Sequence, residues 1–216
     1  MSESPSPKAP SRKVHIETWG CQMNMADSER MLALLAQQRY EPAASAEEAD
    51  LVLLNTCHIR EKARHKVVSR LGVLKELKAT KGLTIAVAGC VAQAEGARLL
   101  KEVPEIDVLF GPGKIDELPR LLTQHAETGK SCMAVGFKRP DAAIPPPADQ
   151  VSNVASPALS GKAEVSRFVN IQQGCNNYCT FCVVPFTRAA KSRVLQLRSW
   201  PSVAPWSRRE PGSSRY

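Results

Sequence analysis

The segment Leu51-Val52-Leu53-Leu54-Asn55-Thr56-Cys57 determines the fold that we expect for this chain. Its first four residues form a continuous apolar run, which is typical of a β-strand that is buried on both faces of a sheet. A charged helical pattern follows from about Glu61 to Lys78. A buried strand followed by a helix is the unit from which parallel α/β sheets are built. We therefore predict an α/β fold, an open parallel sheet with flanking helices.

The same strand and helix pattern occurs three more times. Upstream, residues 14–18 alternate between apolar and polar as a strand does, and residues 31–35 have helical spacing. We expect Asp27, Ser28 and Glu29 to supply the N-terminal capping and charge of that helix. Downstream, the further strand and helix pairs are Leu83–Ala88 with Ala92–Lys101, and Val108–Phe110 with Ile115–Ala126.

A cysteine follows three of these four predicted strands. Cys21, Cys57 and Cys90 each lie just past a carboxyl end, and that edge of an open α/β sheet is where ligands collect. Gly20 and Gly89 would let the backbone approach a bulky inorganic centre, and the helices that follow direct positive dipole ends that favour thiolates. We predict a three-cysteine metal site. The alternative is three ordinary buried cysteines, because free Cys is among the most buried residue types.

A second group of cysteines has C-x₃-C-x₂-C spacing in Gly174-Cys175-Asn176-Asn177-Tyr178-Cys179-Thr180-Phe181-Cys182. Soft thiolates at short spacing favour zinc, copper(I) or iron–sulfur chemistry. Structural zinc usually takes four ligands, and no Cys or His follows Cys182 in this sequence. Three ligands leave one position open, which favours a reactive metal centre. A zinc loop or a loop of buried cysteines is the alternative.

Composition and charge exclude several classes of protein. Hydrophobic residues make up 43% of the 216 residues, which is enough for a real core. Seven cysteines would suit a disulfide-rich secreted protein, but no apolar signal segment follows Met1, so we expect a reducing cytoplasm. No apolar run is long enough to cross a bilayer, so no membrane association is expected. The net charge of +8 is concentrated from Lys191 onward, where six basic residues accompany one acidic residue, so the body of the chain is only mildly basic.

The cysteine loop, with Phe181 just before its third cysteine, resembles the signature of radical S-adenosylmethionine (SAM) enzymes. Within that superfamily, three further motifs resemble the methylthiotransferase family: Trp19-Gly20-Cys21-Gln22-Met23-Asn24 leading to Asp27-Ser28-Glu29, Asn55-Thr56-Cys57 leading to Ile59-Arg60-Glu61-Lys62-Ala63, and Gly89-Cys90-Val91-Ala92-Gln93. The resemblance runs from about Lys13 to Arg193. The motifs Gln22-Met23-Asn24 and Ile59-Arg60-Glu61 are most similar to the branch that modifies tRNA bearing N(6)-dimethylallyladenosine.

This resemblance implies two [4Fe-4S] clusters and S-adenosyl-L-methionine as cofactors. The six implied ligands fall into two groups: for the cluster that binds SAM, Cys175, Cys179 and Cys182, and for the second cluster, Cys21, Cys57 and Cys90. The implied reaction is a radical methylthiolation at C2 of N(6)-dimethylallyladenosine next to the anticodon. The implied partners are that tRNA and a low-potential electron donor such as flavodoxin or ferredoxin, with the protein a cytoplasmic monomer. A sibling enzyme acting on a ribosomal protein and a non-catalytic metal-binding fragment remain alternatives.

Several residues beside the cysteines have more than one interpretation. Gln22, Asn24, Asn55 and Thr56 could donate hydrogen bonds to cluster sulfurs, or could serve only as turn and capping residues. His58 is interpreted as a surface or turn residue and not as a ligand. Basic residues on the second helix are interpreted as a solvated face in preference to an RNA contact: Arg60, Lys62, Arg64, Lys66 and Arg70.

The domain organisation follows from these motifs and from the composition between them. Five segments are expected: a disordered leader 1–12, an N-terminal cluster-binding domain 13–137, a Pro-rich linker 138–161, the start of a radical SAM (β/α) barrel 162–193, and an aberrant basic tail 194–216. Phe168–Ile171 is predicted as the first barrel strand, with the cysteine loop at its carboxyl end. Cys132 lies outside the pattern and is predicted to be a core residue. Because family members continue through the rest of the barrel and a small RNA-binding β-barrel, we expect this chain to be truncated and its catalysis impaired.

Overall fold

The computed structural model describes residues 11–58, 61–137 and 172–193. The chain divides into two units, Met1–Phe137 and Lys138–Tyr216, and each is described by itself. The predicted leader up to residue 10, the linker 138–161, the barrel strand Phe168–Ile171 and the tail 194–216 lie outside the described residues.

The first unit alternates strands and helices as the sequence predicts. Its strands are β1 (Arg12–Trp19), β2 (Tyr40–Pro42), β3 (Leu51–Thr56), β4 (Thr84–Gly89), β5 (Val108–Phe110) and β6 (Cys132–Ala134). Its helices are α1 (Gln22–Gln37), α2 (Glu61–Lys81), α3 (Cys90–Glu102) and α4 (Leu118–Thr128), with a short 3₁₀ helix at Pro112–Glu117 before α4.

The six strands form one sheet in the order β2-β1-β3-β4-β5-β6. Every neighbouring pair in it is parallel, which confirms the predicted fold class. Parallel neighbours need crossover connections, and the helices supply them. The strand β3 therefore lies inside the sheet, between β1 and β4.

Two hydrophobic cores, one on each face of the sheet, stabilise the first unit. Along β3, Leu51 and Leu53 belong to the core that also contains residues of α1 and α4, whereas Val52 and Leu54 belong to the core that contains residues of α2 and α3. All four side chains are 0% exposed. This alternation explains why the run contains no polar residue. Both faces of the strand are covered, so the side chains that point to either face must be apolar.

The start of α1 differs from the prediction. The helix begins at Gln22 with Cys21 at the N-cap position, so Asp27, Ser28 and Glu29 lie inside it and do not cap it. The apolar spacing used to find the helix starts only at Met31, because the first two turns bury polar side chains instead. A polar buried face leaves no hydrophobic period, which is why the sequence pattern placed the helix start too late.

The edge strands and Cys132 complete the sheet. Neither β2 nor β6 was predicted; each has three residues, too few for an alternating pattern to emerge. Cys132 is the first residue of β6 and is 5% exposed within a hydrophobic core, which confirms its predicted role as a core residue.

The described part of the second unit is a short ribbon with a loop and a helix. The strands β7 (Gln172–Gln173) and β8 (Ser192–Arg193) pair in the antiparallel direction, and α5 (Val184–Arg188) lies between them in the chain. The cysteine loop occupies the segment from β7 to α5. The barrel expected here stays a prediction, since its first strand lies outside the described residues.

Among the described helices, none combines the length and the apolar composition that crossing a bilayer requires.

Candidate cluster-binding sites

The parallel register brings three cysteines to one edge of the sheet. Trp19 of β1 pairs with Thr56 of β3, and Thr56 pairs with Gly89 of β4. Cys57 and Cys90 directly follow the last two of these residues, and Cys21 follows Trp19 by two positions. Neighbouring strands lie about 4.8 Å apart, so residues that follow the same register row are close in space. The predicted equivalence of the three positions is thus a feature of the fold.

Cys21 is held at the amino end of α1. Its main-chain N–H donates to the side-chain Oδ1 of Asn24 at 3.4 Å, and its Sγ lies 3.3 Å from the same oxygen. Its main-chain carbonyl accepts from the N–H groups of Asn24 and Met25 at 3.0 and 3.3 Å. The residue itself is exposed. The Cys21 sulfur therefore lies at the amino end of α1, held by the first turn of that helix.

Cys57 and Cys90 are buried, unlike Cys21. Cys57 is 5% exposed and its N–H donates to the carbonyl of Trp19 at 2.9 Å, which ties the end of β3 to the end of β1. Cys90 is 3% exposed and is the first residue of α3. Two of the three thiols are therefore shielded from solvent by the same sheet and helices that place them.

The two glycines beside these cysteines are required by the protein itself. A Cβ at Gly20 would lie 2.5 Å from Oδ1 of Asn24 and 3.0 Å from Cβ of Cys57. Gly89 has a φ of +91°, and a Cβ there would lie 2.4 Å from the carbonyl oxygen of Thr56. The close approach at both glycines is thus to neighbouring strand ends and to the first turn of α1. An approach of the backbone to an inorganic centre, predicted for these glycines, is not required by the described contacts.

A buried polar network lies beneath Cys21. Asn24 and Asn55 are 0% exposed and Ser28 is 2% exposed. Asn24 Nδ2 donates to Asn55 Oδ1 at 3.1 Å, and Asn55 Nδ2 donates to the main-chain oxygen of Asn24 at 2.7 Å and to Ser28 Oγ at 2.8 Å. Thr18 Oγ1 and Ser28 Oγ are 2.7 Å apart and complete the network. Each amide therefore has partners, as buried polar groups need.

The other candidate donors have different places in the structure. Thr56 Oγ1 donates to the carbonyl of Ala88 at 3.4 Å, and Gln22 is exposed. His58 is half-buried beside Cys57, while Ile59 and Arg60 lie outside the described residues. Of the four side chains considered as donors to sulfur, only Asn24 has a described contact with a cysteine sulfur, and in that contact Asn24 Oδ1 accepts from Cys21 Sγ. Asn24 is also the N3 residue of the capping box of α1, which agrees with its alternative interpretation as a capping residue.

Sequence reasoning assigned no role to Gln93, which ends the motif that begins at Gly89. Its Oε1 accepts from the N–H of Gly136 at 3.0 Å, and a Cβ at Gly111 would lie 2.1 Å from that oxygen. Gln93 therefore connects α3 to the segments that follow β5 and β6. The glycine at position 111 leaves space for it, and that glycine is the only signal in the sequence from which the contact could have been found.

Two basic residues of α2 form ion pairs, whereas a solvated face was predicted for this helix. The Arg64 guanidinium forms ion pairs with Glu95, at 3.7 Å, and with Glu102 of α3. Arg70 Nε donates to Oε1 of Glu17 at 2.8 Å.

Two lysines of the same helix are exposed, as predicted. They are Lys62 and Lys66, and Lys66 Nζ lies 4.7 Å from the centroid of the Trp19 ring. The prediction of a solvated face is therefore wrong for Arg64 and Arg70, which connect α2 to α3 and to β1. The sequence pattern of α2 did not indicate these ion pairs because the acidic partners are distant in sequence.

The cysteine loop of the second unit is fixed by main-chain contacts. Cys175 N–H donates to the carbonyl of Ala189 at 3.2 Å, and Cys182 N–H donates to the carbonyl of Cys179 at 2.9 Å. Gly174 has a φ of +73°, and a Cβ there would lie 2.3 Å from the oxygen of Ala189. Cys175 and Cys182 are half-buried and Cys179 is exposed. The loop thus folds back on the residues that follow α5.

Three exposed aromatic side chains lie in this loop or in α5, which follows it. Phe181, which precedes the third cysteine, is 95% exposed, and Tyr178 and Phe186 are 61% and 67% exposed. The rings of Tyr178 and Phe186 meet edge to face with centroids 6.3 Å apart. Phe181, the aromatic residue of the cysteine motif, is therefore not part of a hydrophobic core among the described residues.

Cysteine sulfur is the ligand type in both groups, and it suits zinc, copper(I) or iron–sulfur centres. None of the seven cysteines forms a disulfide bond. Within residues 11–58, 61–137 and 172–193, no three Cys, His, Asp or Glu side chains are arranged to hold one metal ion. A [4Fe-4S] cluster binds each thiolate on a different iron, so its ligands do not need to meet at one ion. Soft thiolates in two groups of three suit such clusters.

Comparison with known proteins places the chain in a family. The family model described as "Uncharacterized protein family UPF0004" matches residues 13–111. The tRNA-2-methylthio-N(6)-dimethylallyladenosine synthase of Anaeromyxobacter dehalogenans (strain 2CP-C) is 46% identical over 185 residues, which cover 86% of this chain and 38% of that protein. The enzyme of the same name from Anaeromyxobacter sp. (strain K) is 45% identical with the same coverage.

This chain therefore spans 38% of the length of the curated relatives that it matches. Within that span lie the three strand-end cysteines at one sheet edge and the three-cysteine loop. With the motifs that carry them and 46% identity over 86% of its length, the chain belongs to the methylthiotransferase family.

Proposed function

We propose that this chain acts in the methylthiolation of tRNA, as a transferase that adds a methylthio group at C2 of N(6)-dimethylallyladenosine next to the anticodon. The observation that carries the proposal is the placement of Cys21, Cys57 and Cys90 at one sheet edge in a chain 46% identical to a synthase named for that product. A donor set of three thiolates suits a cluster with one open iron.

At the sheet edge, the chain would hold a [4Fe-4S] cluster on those three cysteines. Burial of Cys57 and Cys90 limits access of water to this site, while exposed Cys21 leaves one side open to substrate. Such a cluster, when bound, supplies the site that carries the methylated sulfur. The protein contributes the spacing of the ligands and the shielding around them.

In the second unit, Cys175, Cys179 and Cys182 would hold the other [4Fe-4S] cluster. Gly174 and the Cys175 to Ala189 hydrogen bond set the turn of this loop, and three thiolates leave one iron free to chelate SAM. With a cluster and SAM bound there, and an electron from the low-potential donor, this site would supply the radical chemistry that the reaction at C2 of the adenine needs. The half-buried and exposed positions of the three cysteines leave the loop accessible to that small molecule.

The proposal also names partners. A tRNA bearing N(6)-dimethylallyladenosine is supported by the names of the relatives. A low-potential electron donor such as flavodoxin or ferredoxin, a monomeric state and a cytoplasmic location follow from the family resemblance.

The first test is anaerobic reconstitution of this chain followed by iron and sulfide analysis. Two clusters predict ~8 irons per chain, and ~4 in either triple variant, Cys21→Ala/Cys57→Ala/Cys90→Ala or Cys175→Ala/Cys179→Ala/Cys182→Ala. Cys132→Ala is the matched control, because Cys132 is a buried cysteine outside both groups, and it should retain ~8 irons. Zinc at similar occupancy, or no iron, would contradict the proposal.

A second test concerns the substrate. Reconstituted protein is incubated with SAM, a reductant and tRNA bearing N(6)-dimethylallyladenosine, and the nucleosides are analysed by mass spectrometry. The product that identifies this activity is the 2-methylthio nucleoside, and we expect it in low yield because the chain spans 38% of the length of the relatives. Modification of a ribosomal protein in place of tRNA would assign the chain to the sibling activity, and intact clusters without SAM cleavage would identify a metal-binding chain without catalysis.

A further inference from the structure

A buried pair of amide side chains connects two of the three ligand segments at the sheet edge. Asn24 lies in the first turn of α1, three residues after Cys21, and Asn55 lies in β3, two residues before Cys57. Both asparagines are 0% exposed. Any displacement of one ligand segment against the other must therefore deform this pair.

The orientation of each amide follows from its neighbours. The main-chain oxygen of Asn24 can only accept, so the group 2.7 Å from it must be the Nδ2 of Asn55. Asn55 then presents Oδ1 to Asn24 Nδ2, at 3.1 Å. This leaves Asn24 Oδ1 directed at Cys21, 3.4 Å from its N and 3.3 Å from its Sγ. The position of β3 thus determines which atom Cys21 meets.

The packing around the pair leaves it little freedom. A Cβ at Gly20 would lie 2.5 Å from Asn24 Oδ1 and 3.0 Å from Cys57 Cβ, so the side chain of Asn24 and the end of β3 both occupy the space beside Gly20. Capping a helix requires only an exposed polar side chain, and burying two amides for that purpose would cost free energy without need. The burial is explained if the pair must hold a fixed distance between segments.

We propose that Asn24 and Asn55 are positioning residues that set the place of Cys21 relative to Cys57 for cluster binding, an inference that rests on the function proposed above. Asn24 fixes the backbone of Cys21 by accepting from its main-chain N–H, and Asn55 relates that backbone to the strand end that carries Cys57. Neither residue is a ligand. Side chains that orient metal ligands in this way typically change metal affinity about 10- to 100-fold when removed.

The test uses the full chain with Cys175→Ala/Cys179→Ala/Cys182→Ala, which retains only the cluster at the sheet edge. Asn24→Ala, Asn55→Ala and the double variant are reconstituted in this background. We expect each single variant to lose iron to a chelator about 10- to 100-fold faster than the background, with a changed reduction potential and a changed electron paramagnetic resonance spectrum. Because both residues act through one contact, the double variant should be little worse than either single variant.

The matched control is Ser28→Ala in the same background. Ser28 bonds Asn55 at the other end of the network, 2.8 Å from its Nδ2, and has no described contact with Cys21. It should lower the melting temperature comparably but leave chelator resistance, potential and spectrum unchanged. If Asn24→Ala does not fold, Asn24→Ser replaces it, because a hydroxyl can still cap α1 but cannot reach both Cys21 and Asn55.

The outcomes separate the two proposals. If the background itself binds no iron, the proposed function fails and this inference fails with it. If the background binds ~4 irons and the asparagine variants match it, or match Ser28→Ala, the positioning role is wrong while the cluster site stands.

Discussion

The two groups of cysteines are built in opposite ways. Cys21, Cys57 and Cys90 come from three strand ends spread over seventy positions of the chain, and only the register of β1, β3 and β4 brings them to one edge. Cys175, Cys179 and Cys182 lie within one loop of eight residues, whose turn is set by Gly174 and a contact to Ala189. The first site depends on a folded core, and the second depends on local backbone geometry.

Two sites with the same number of cysteine ligands should therefore be sensitive to different substitutions. A core substitution should disturb the strand-end site and leave the loop unchanged, whereas a backbone change in the loop should do the reverse. Variants that damage only one site would sharpen the comparison. Variants that damage both equally would break it.

The largest effect is expected from Leu53→Ala. Leu53 is 0% exposed in the central strand β3, so its removal leaves a cavity and should lower the free energy of unfolding by about 2–5 kcal/mol. Chemical denaturation measures this, and iron binding by the strand-end cysteines should weaken with it. Val73→Ala is the control, because Val73 is 52% exposed on α2 and should change stability by no more than about 0.5 kcal/mol. An equal effect of both substitutions would mean that β3 is not the centre of the core.

Gly89→Ala should have the next largest effect. The backbone of Gly89, with φ +91° and ψ −162°, lies in a region that is essentially restricted to glycine. That conformation and the clash with Thr56 predict a loss of about 3 kcal/mol and of the strand-end cluster, measured by denaturation and by iron content. Gly72→Ala on α2 is the control: a Cβ there meets nothing within 4 Å, so the helix should gain about 0.5–1 kcal/mol. Retention of the strand-end cluster by Gly89→Ala would contradict the geometry described.

Gly174→Ala tests the other side of the comparison. A Cβ at Gly174 would lie 2.3 and 2.4 Å from the carbonyl oxygens of Ala189 and Ala190, so the loop must move by backbone rearrangement. In a Cys21→Ala/Cys57→Ala/Cys90→Ala chain, we expect loss of the remaining ~4 irons with little change in the melting of the first unit. Iron analysis and thermal melting decide this. Simultaneous melting of the first unit would show that the two sites are not independent.

The smallest effect concerns acid stability of the first unit. Hydrogen bonds from Lys114 and Arg120 lower the pKa of the Glu117 carboxyl below its ordinary value of 4.5. A lowered folded-state pKa stabilises the protein above the unfolded-state value, and this contribution disappears as the pH falls through the folded-state value. Glu117 and Lys114 are half-buried and Arg120 is exposed, so solvent still screens these ion pairs and the contribution is about 0.5 kcal/mol. Thermal melts from about pH 6 to pH 3 should show a shallower acid decline for Glu117→Gln than for the parent chain. A decline of equal slope would show that Glu117 does not contribute.

Several of the structural features could be predicted because they leave a local pattern. The run Leu51–Leu54 indicates a strand covered on both faces, and the cysteines after three strands indicate one edge of a parallel sheet. The start of α1 could not be predicted, because Asn24 and Ser28 are polar side chains on its buried face. The ion pairs of Arg64 and Arg70 were missed for a related reason. Their partners are 31 to 53 positions away, and a helical charge pattern gives no sign of them.

The parallel α/β architecture, the two groups of cysteines and the family resemblance could all be inferred from sequence patterns. These are properties of short segments: an apolar run, a spacing or a motif of a few residues. Three features became visible in the fold alone: Asn24 and Asn55 join two ligand segments, Gly20 and Gly89 make room for neighbouring strand ends, and Gln93 connects α3 to the segments that follow β5 and β6. The physical reason is that each of these contacts joins atoms whose distance depends on how the strands align, and strand alignment is a property of the whole sheet.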